Sequence, residues 1–257
     1  MTKKVSVVAA LAAVVSLGIA GSASAVLLFD SSFDFGPTSG DLDTASGGQW
    51  GGNGNTIYDA NTNLTYPGYK DGGGGSGTMT TGNTPLTVAA NPDLLTIDNV
   101  HGDYYVSLLL QGRTDYWVRA FSYILQARGG GNTIKLFDSD EAVSIDSGVA
   151  TDPGTHLIVM KIVSKAGNDE MGMVVNPDLS GPTALADLET GLSATIENKD
   201  FAAGDGSLYF QFSRPPGGDQ MWVDEVRWGT SLAGVIPEPA SMTLLAMGGL
   251  AMLRRRR

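Results

Sequence analysis

The 257-residue chain contains no cysteine. That removes disulfides, thiolate nucleophiles, iron–sulfur clusters and thiolate zinc sites, so the fold must stand on its hydrophobic core. Histidine is nearly as scarce. His101 and His156 are the only two, too few for a histidine-rich metal centre, and there is no Gly-x-Ser-x-Gly to build a serine triad around. Basic residues are outnumbered, 16 against 27 acidic, for a formal net charge of −11. This excludes a nucleic-acid footprint, which needs a basic surface, and adhesion to anionic lipid. Internal repeats and heptads are also missing, and the glycine run "GGGGSG" lacks the Gly-Lys-Ser/Thr of a phosphate loop.

The two ends read as addresses. At the start, Lys3 and Lys4 precede an apolar stretch, Val5 to Ala20, and then Ala23-Ser24-Ala25. Positive start, apolar middle and small residues at Ala23 and Ala25 predict a signal peptide over residues 1–25, exported by Sec-type machinery and cut by signal peptidase after Ala25. At the other end come Pro237-Glu238-Pro239, the uncharged run Ala240 to Leu253, and Arg254, Arg255, Arg256 and Arg257. The run would span about 21 Å as a helix against about 30 Å of bilayer hydrocarbon, a short transmembrane helix that makes a poor permanent anchor. The prolines fix φ and remove two amide donors, which predicts an extended, accessible stretch. This order of parts resembles the PEP-CTERM sorting signal of bacterial surface and secreted proteins. The resemblance implies an exosortase as processing partner and membrane contact through residues 236–257 before processing.

Between the addresses lies one body, residues 26–235, a length suited to a single domain. Six of the 16 basic residues fall in the end segments but only Glu238 of the 27 acidic ones, so the body carries 10 against 26, a formal charge of −16. Such a balance suits a dispersed extracellular protein and leaves room for cations. Glycine is heavy, at 35 residues, and concentrates in Gly47–Gly54 and Asp71–Gly77, which read as loops.

Period-two and continuous apolar segments dominate the body. They are Tyr104–Gln111, Trp117–Ala127, Asn132–Asp138, His156–Val163, Glu170–Asn176, Ser207–Ser213 and Met221–Trp228. One short helix is predicted near Thr183–Leu192. Many strands without βαβ alternation predict an all-β sandwich. The phrases "LLFDSSFDF", "DYYVSLLLQ", "HLIVMKIV…MVVNPDL" and "VDEVRWGTS" resemble laminin-G-like, concanavalin A-like jelly-roll modules. That resemblance implies a jelly-roll β-sandwich whose first and last strands are neighbours.

Candidate chemistry is sparse. A glycoside hydrolase on this fold would carry Glu-x-Asp-x-(x)-Glu on one strand. "DSDEAVSID" and "VDEVRW" do not have that spacing, and Asp224 and Glu225 are adjacent, so in a regular strand they face opposite ways. Asp224 shares a period-two face with Trp222, Val226 and Trp228, which predicts a buried carboxylate bonded by backbone N–H groups of a neighbouring loop. Asp138, Asp140 and Glu141 follow a strand and offer hard oxygens, so Ca²⁺ is the one possible cofactor; the same residues also read as solvated loop carboxylates. For sugar stacking, Trp50 and Tyr58 flank Gly/Asn-rich sequence and Tyr116-Trp117 follow "GRTD"; Trp50 reads equally well as a cap on a sandwich edge. The sequence therefore predicts an exported surface or matrix protein with a non-catalytic sandwich associated with exopolysaccharide. A polysaccharide-active glycosidase and a calcium-dependent lectin are the alternatives.

Overall fold

The computed structural model describes residues 27–52, 56–69, 73–79, 86–90, 101–112, 116–120, 123–127, 133–137, 144–151, 154–179, 192–195, 210–214 and 220–236. The strands are β1 (Leu27–Ser31), β2 (Gly40–Asp41), β3 (Trp50–Gly52), β4 (Thr56–Asp59), β5 (Ser76–Met79), β6 (Leu86–Ala90), β7 (Gly102–Gly112) and β8 (Tyr116–Ala120). They continue with β9 (Tyr123–Ala127), β10 (Thr133–Phe137), β11 (Ser144–Ala150), β12 (Thr155–Ser164), β13 (Glu170–Val175), β14 (Leu192–Thr195), β15 (Phe210–Arg214) and β16 (Met221–Gly229). Two four-residue helices, Leu42–Ala45 and Leu232–Val235, complete the described elements.

These strands form a two-sheet antiparallel jelly-roll sandwich. One sheet runs β14-β13-β12-β7-β16-β5-β4-β2, with β1 paired to β16; the other runs β11-β10-β9-β8-β15-β6-β3. The first strand pairs with the last, Leu27 opposite Gly229, as the jelly-roll resemblance implied. The main core lies between the sheets. Val106, Leu108, Leu110, Ile158, Met160, Met171 and Trp228 from the first sheet meet Ile134, Leu136, Ile145 and Trp50 from the second.

The apolar run in "YYVSLLLQ" has a specific cause. Tyr104, Val106, Leu108 and Leu110 face the inter-sheet core, while Tyr105 and Leu109 face a second cluster on the far side of the same sheet. β12 repeats this, with Ile158, Met160 and Ile162 inward and Leu157 and Val159 outward. A strand covered on both faces loses its alternation. The cover is the loop before residue 70, through Leu64 and Tyr69, together with Leu232, Val235 and Ile236. Each such apolar side chain contributes roughly 1.5–3 kcal/mol on burial.

The structure departs from or adds to the sequence reading in three places. The segment Trp117–Ala127 is not one strand but the hairpin β8–β9, with Val118 opposite Leu125; no Gly or Asn marks the turn. The "VSID" part of the acidic string "DSDEAVSID" belongs to β11, paired with β10. The alternation through Met221–Trp228 is broken by a bulge between Asp224 and Arg227, where Glu225 takes φ 51°. Met221, Val223, Val226 and Trp228 all reach the core, whereas Trp222 packs in the far-side cluster. Asp224 and Glu225 thereby end on the same side of the sheet, which adjacent residues of a regular strand cannot do.

The glycine run before β5 serves close approach. Gly75 donates to the Phe33 carbonyl at 3.1 Å, and a Cβ on it would collide with the Asp59 carbonyl oxygen and the Tyr58 ring. Phe33 itself is fully buried at φ 52° and stacks on Trp50 with centroids 5.2 Å apart.

Among the described residues no helix is long and apolar enough to cross a membrane. Residues 1–25 and 237–257 of the two address segments, with Ala23, Ala25, Pro237, Glu238, Pro239 and Arg254–Arg257, lie outside the described residues, as does 183–191 of the expected helix.

Candidate functional site

Register aligns the residues of the seven-stranded sheet in rows. Val88, Phe212, Val118, Leu125, Leu136 and Ile145 form one continuous row across β6, β15, β8, β9, β10 and β11. At its β10–β11 end Leu136 is fully buried and Ile145 nearly so. One residue along lies the row Thr87, Ser213, Trp117, Gln126, Lys135 and Asp146. At its β10–β11 end Lys135 and Asp146 have side chains 40% and 46% exposed, paired at 2.9 Å. Trp117 is the one aromatic residue in this second row.

The Thr133 hydroxyl, the Gly148 amide and Lys135 hold the Asp146 carboxyl down to about 2. The row thus ends in a charged pair at neutral pH. Two residues along from it lies the row Gln211, Arg119, Ile124 and Phe137. At about 4.8 Å between strands, six strands give a strip roughly 24 Å long.

The other aromatic candidates are placed differently. Trp50 is fully buried, its Nε1 donating to Ser31 Oγ at 2.8 Å, with Phe29 edge-on and Phe33 stacked. Trp50 pairs with Ala90 on β6, two residues from Val88 and so on the core-facing side. Tyr58 is also fully buried, donating to the Gly36 carbonyl at 2.7 Å. Neither ring is available to stack on a sugar. Tyr116 and Trp117 both lie on β8, Tyr116 opposite Ala127 and Trp117 opposite Gln126 on β9.

On the far side of the nine-stranded sheet is a buried polar group of a different kind. Asp224 is fully buried, its Oδ2 accepting the Leu64 amide at 3.1 Å and its Oδ1 the Glu225 amide at 2.8 Å. The carboxylate bonded by a loop amide is as expected from sequence. Glu225, also fully buried, pairs with Arg227, which sits over the Tyr69 ring at 5.1 Å and reaches Asp30 at 3.4 Å.

Tyr69 Oη lies 2.9 Å from Ser107 Oγ, and both hydroxyls approach the Val235 carbonyl, Ser107 donating at 2.6 Å and Tyr69 at 3.3 Å. Burial, opposed by Arg227, pushes the Tyr69 hydroxyl up to about 12, so it keeps its proton. Sequence reasoning found Asp224 but missed Tyr69 and Ser107. A lone Ser107 in the middle of the otherwise buried apolar run Tyr104–Leu110 was the available signal.

The carboxylates Asp224 and Glu225 are thus committed to structure. His156 is buried, its Nδ1 3.0 Å from the Asn176 amide nitrogen, and His101 is exposed. Asp138, Asp140 and Glu141 lie outside the described residues, and among those described no three His, Asp or Glu gather as metal ligands.

The profile of the PEP-CTERM protein-sorting motif matches residues 235–257. No curated protein matches the chain in sequence. Solved structures are similar to it at low identity. The catalytic domain of a GH131 beta-glucanase from Podospora anserina is 14% identical with TM-score 0.42, covering 70% of this chain and 82% of that one. A carbohydrate esterase, vb_24B_21, from Shiga toxin-encoding bacteriophage phi24B is 10% identical with TM-score 0.46, covering 81% and 100%. Peanut lectin is 11% identical with TM-score 0.35, covering 81% and 98%. The chain carries a sorting signal read by an exosortase and is an exported protein of the cell envelope or surface.

Proposed function

We propose that the chain is a non-catalytic surface or matrix protein whose sandwich associates with exopolysaccharide through the outward face of the seven-stranded sheet. The observation that carries this reading is the register of Trp117. It sets Trp117 in strand register opposite Ser213 on β15 and Gln126 on β9, in line with Lys135 on β10, whose side chain is 40% exposed. An aromatic ring offers a flat apolar face and its hydroxyl and amide neighbours offer hydrogen bonds, the combination that a pyranose presents in reverse. A catalytic role finds no support in the carboxylates Asp224 and Glu225, which are fully buried and bonded within the fold.

The test is co-sedimentation of the full-length chain with the host's own extracellular polysaccharide, for wild type, Trp117→Ala and Trp50→Phe. Saturable binding that Trp117→Ala weakens at least tenfold, and Trp50→Phe leaves intact, is the expected result. Equal binding by Trp117→Ala and wild type sinks the assignment of this face. Release of reducing sugar from the polysaccharide would replace the reading with a glycosidase.

A further inference from the structure

The matched sorting motif begins at Val235, yet Val235 and Ile236 are fully and almost fully buried. The start of the tail is therefore part of the folded body. Ser231 caps the helix Leu232–Val235, its hydroxyl accepting the Gly234 amide at 3.2 Å, and Ile236 N–H returns to the Leu232 carbonyl at 2.9 Å. A four-residue helix has no stability of its own. It is held by Leu232, Val235 and Ile236 in the far-side cluster, and by the hydroxyls of Ser107 and Tyr69 on the Val235 carbonyl. Ile236 is already extended, at φ −112° and ψ 92°, as a residue before proline must be.

The folded body thus extends to Ile236 itself. From Ile236 to Ala240 are four Cα steps, at most about 14 Å. An enzyme that holds the segment after Pro239 in or at a membrane therefore works within that reach of the surface around Val235. The sequence of that surface departs from the rest of the body. Residues 60–69, ANTNLTYPGY, and 229–236, GTSLAGVI, carry no charged side chain, in a body with 26 acidic and 10 basic residues. The two segments meet at Tyr69 and Val235. Asn61, Asn63, Thr65, Pro67, Gly68, Thr230 and Ala233 are their exposed residues.

We propose that this uncharged surface is the contact face for the membrane-embedded enzyme that processes the tail, with the Val235 clamp as a rigid joint that presents it. The nearest charged groups on this side, Asp30 with Arg227 and Asp103 with Lys161, are paired with one another. The inference is independent of the glycan reading, because it uses the opposite sheet and the sorting motif alone.

The experiment follows loss of the tail in host cells after a pulse of synthesis, by the mass shift of the full-length chain. Two surface pairs, Asn63→Glu/Ala233→Glu and Asn63→Lys/Ala233→Lys, are compared with a control pair, Thr38→Glu/Ala166→Glu, at exposed sites elsewhere. The expected result is several-fold slower processing for both surface pairs and a wild-type rate for the control, all with unchanged melting temperature. Ten Gly/Ser residues inserted after Ile236 should restore the rate in the Glu pair, since the body can then swing clear. Surface pairs processed at the control rate overturn the proposal, as does a wild-type chain that never loses its tail. Faster processing of the Lys pair also overturns it, and would assign the face to anionic lipid.

Discussion

Asp224 accepts the backbone amide of Leu64 at 3.1 Å, across a sequence separation of 160 residues. This one bond ties the last long strand to the loop that covers it. Both partners are buried, so removing the carboxylate leaves the amides of Leu64 and Glu225 without the acceptor they now have. Asp224→Ala should cost about 3 kcal/mol, a fall of roughly 10 °C in melting temperature for a body of this size. Asp224→Asn keeps one oxygen and should lose less. Calorimetry of both variants checks the order, and an unchanged melting temperature for Asp224→Ala would contradict the role assigned to it.

Ser107 acts at a distance from Asp224 along the same face, by holding Val235. Ser107→Ala removes the shorter of the two bonds to the Val235 carbonyl and leaves the Tyr69 hydroxyl. Local opening of the terminal segment should become easier by about 1 kcal/mol, or roughly five-fold faster exchange. Hydrogen exchange at the Ile236 and Gly234 amides reads this directly, while amides in β12 should be unaffected.

Tyr69 gives the fold an alkaline limit. Its hydroxyl rises from 10.0 in the unfolded reference to about 12 in the fold, chiefly through burial. A raised value means that the stabilisation is complete below pH 10 and is lost as pH climbs toward 12. The full loss is on the order of 2 kcal/mol. Denaturant melts of wild type and Tyr69→Phe at several pH values check the sign: wild type should weaken across this window and the phenylalanine variant should weaken less.

Gly75 is the residue whose substitution the backbone cannot absorb. A methyl group there meets the Asp59 carbonyl oxygen and Ala60 Cα, both main chain, so neither can rotate away. Gly75→Ala should destabilise by at least about 3 kcal/mol. Gly73→Ala meets nothing within 4 Å, although its φ of +72° adds some strain. The difference in urea midpoint between the two variants isolates the close approach.

The sandwich was readable where side-chain period and sheet geometry agree. β10, β12, β13 and β16 were each predicted within a few residues. Reading failed where a backbone irregularity reset the period. Before the bulge at Asp224–Glu225 the core takes odd positions, Met221 and Val223; after it, even ones, Val226 and Trp228. No side-chain pattern announces that switch. Trp50 misled for another reason. Its neighbours Gly47, Gly48 and Gly51 look like loop, but glycine also lets a chain press close, and β3 runs along the sheet edge with Trp50 turned inward.

The pairing of β1 with β16 also bears on time. Leu27 is among the first residues of the body to be made and its partner Gly229 among the last. Closing so long a loop is slow, and it cannot begin until almost the whole chain exists. The nine-stranded sheet therefore cannot seat its first strand during synthesis. An exported chain has that delay written into its topology.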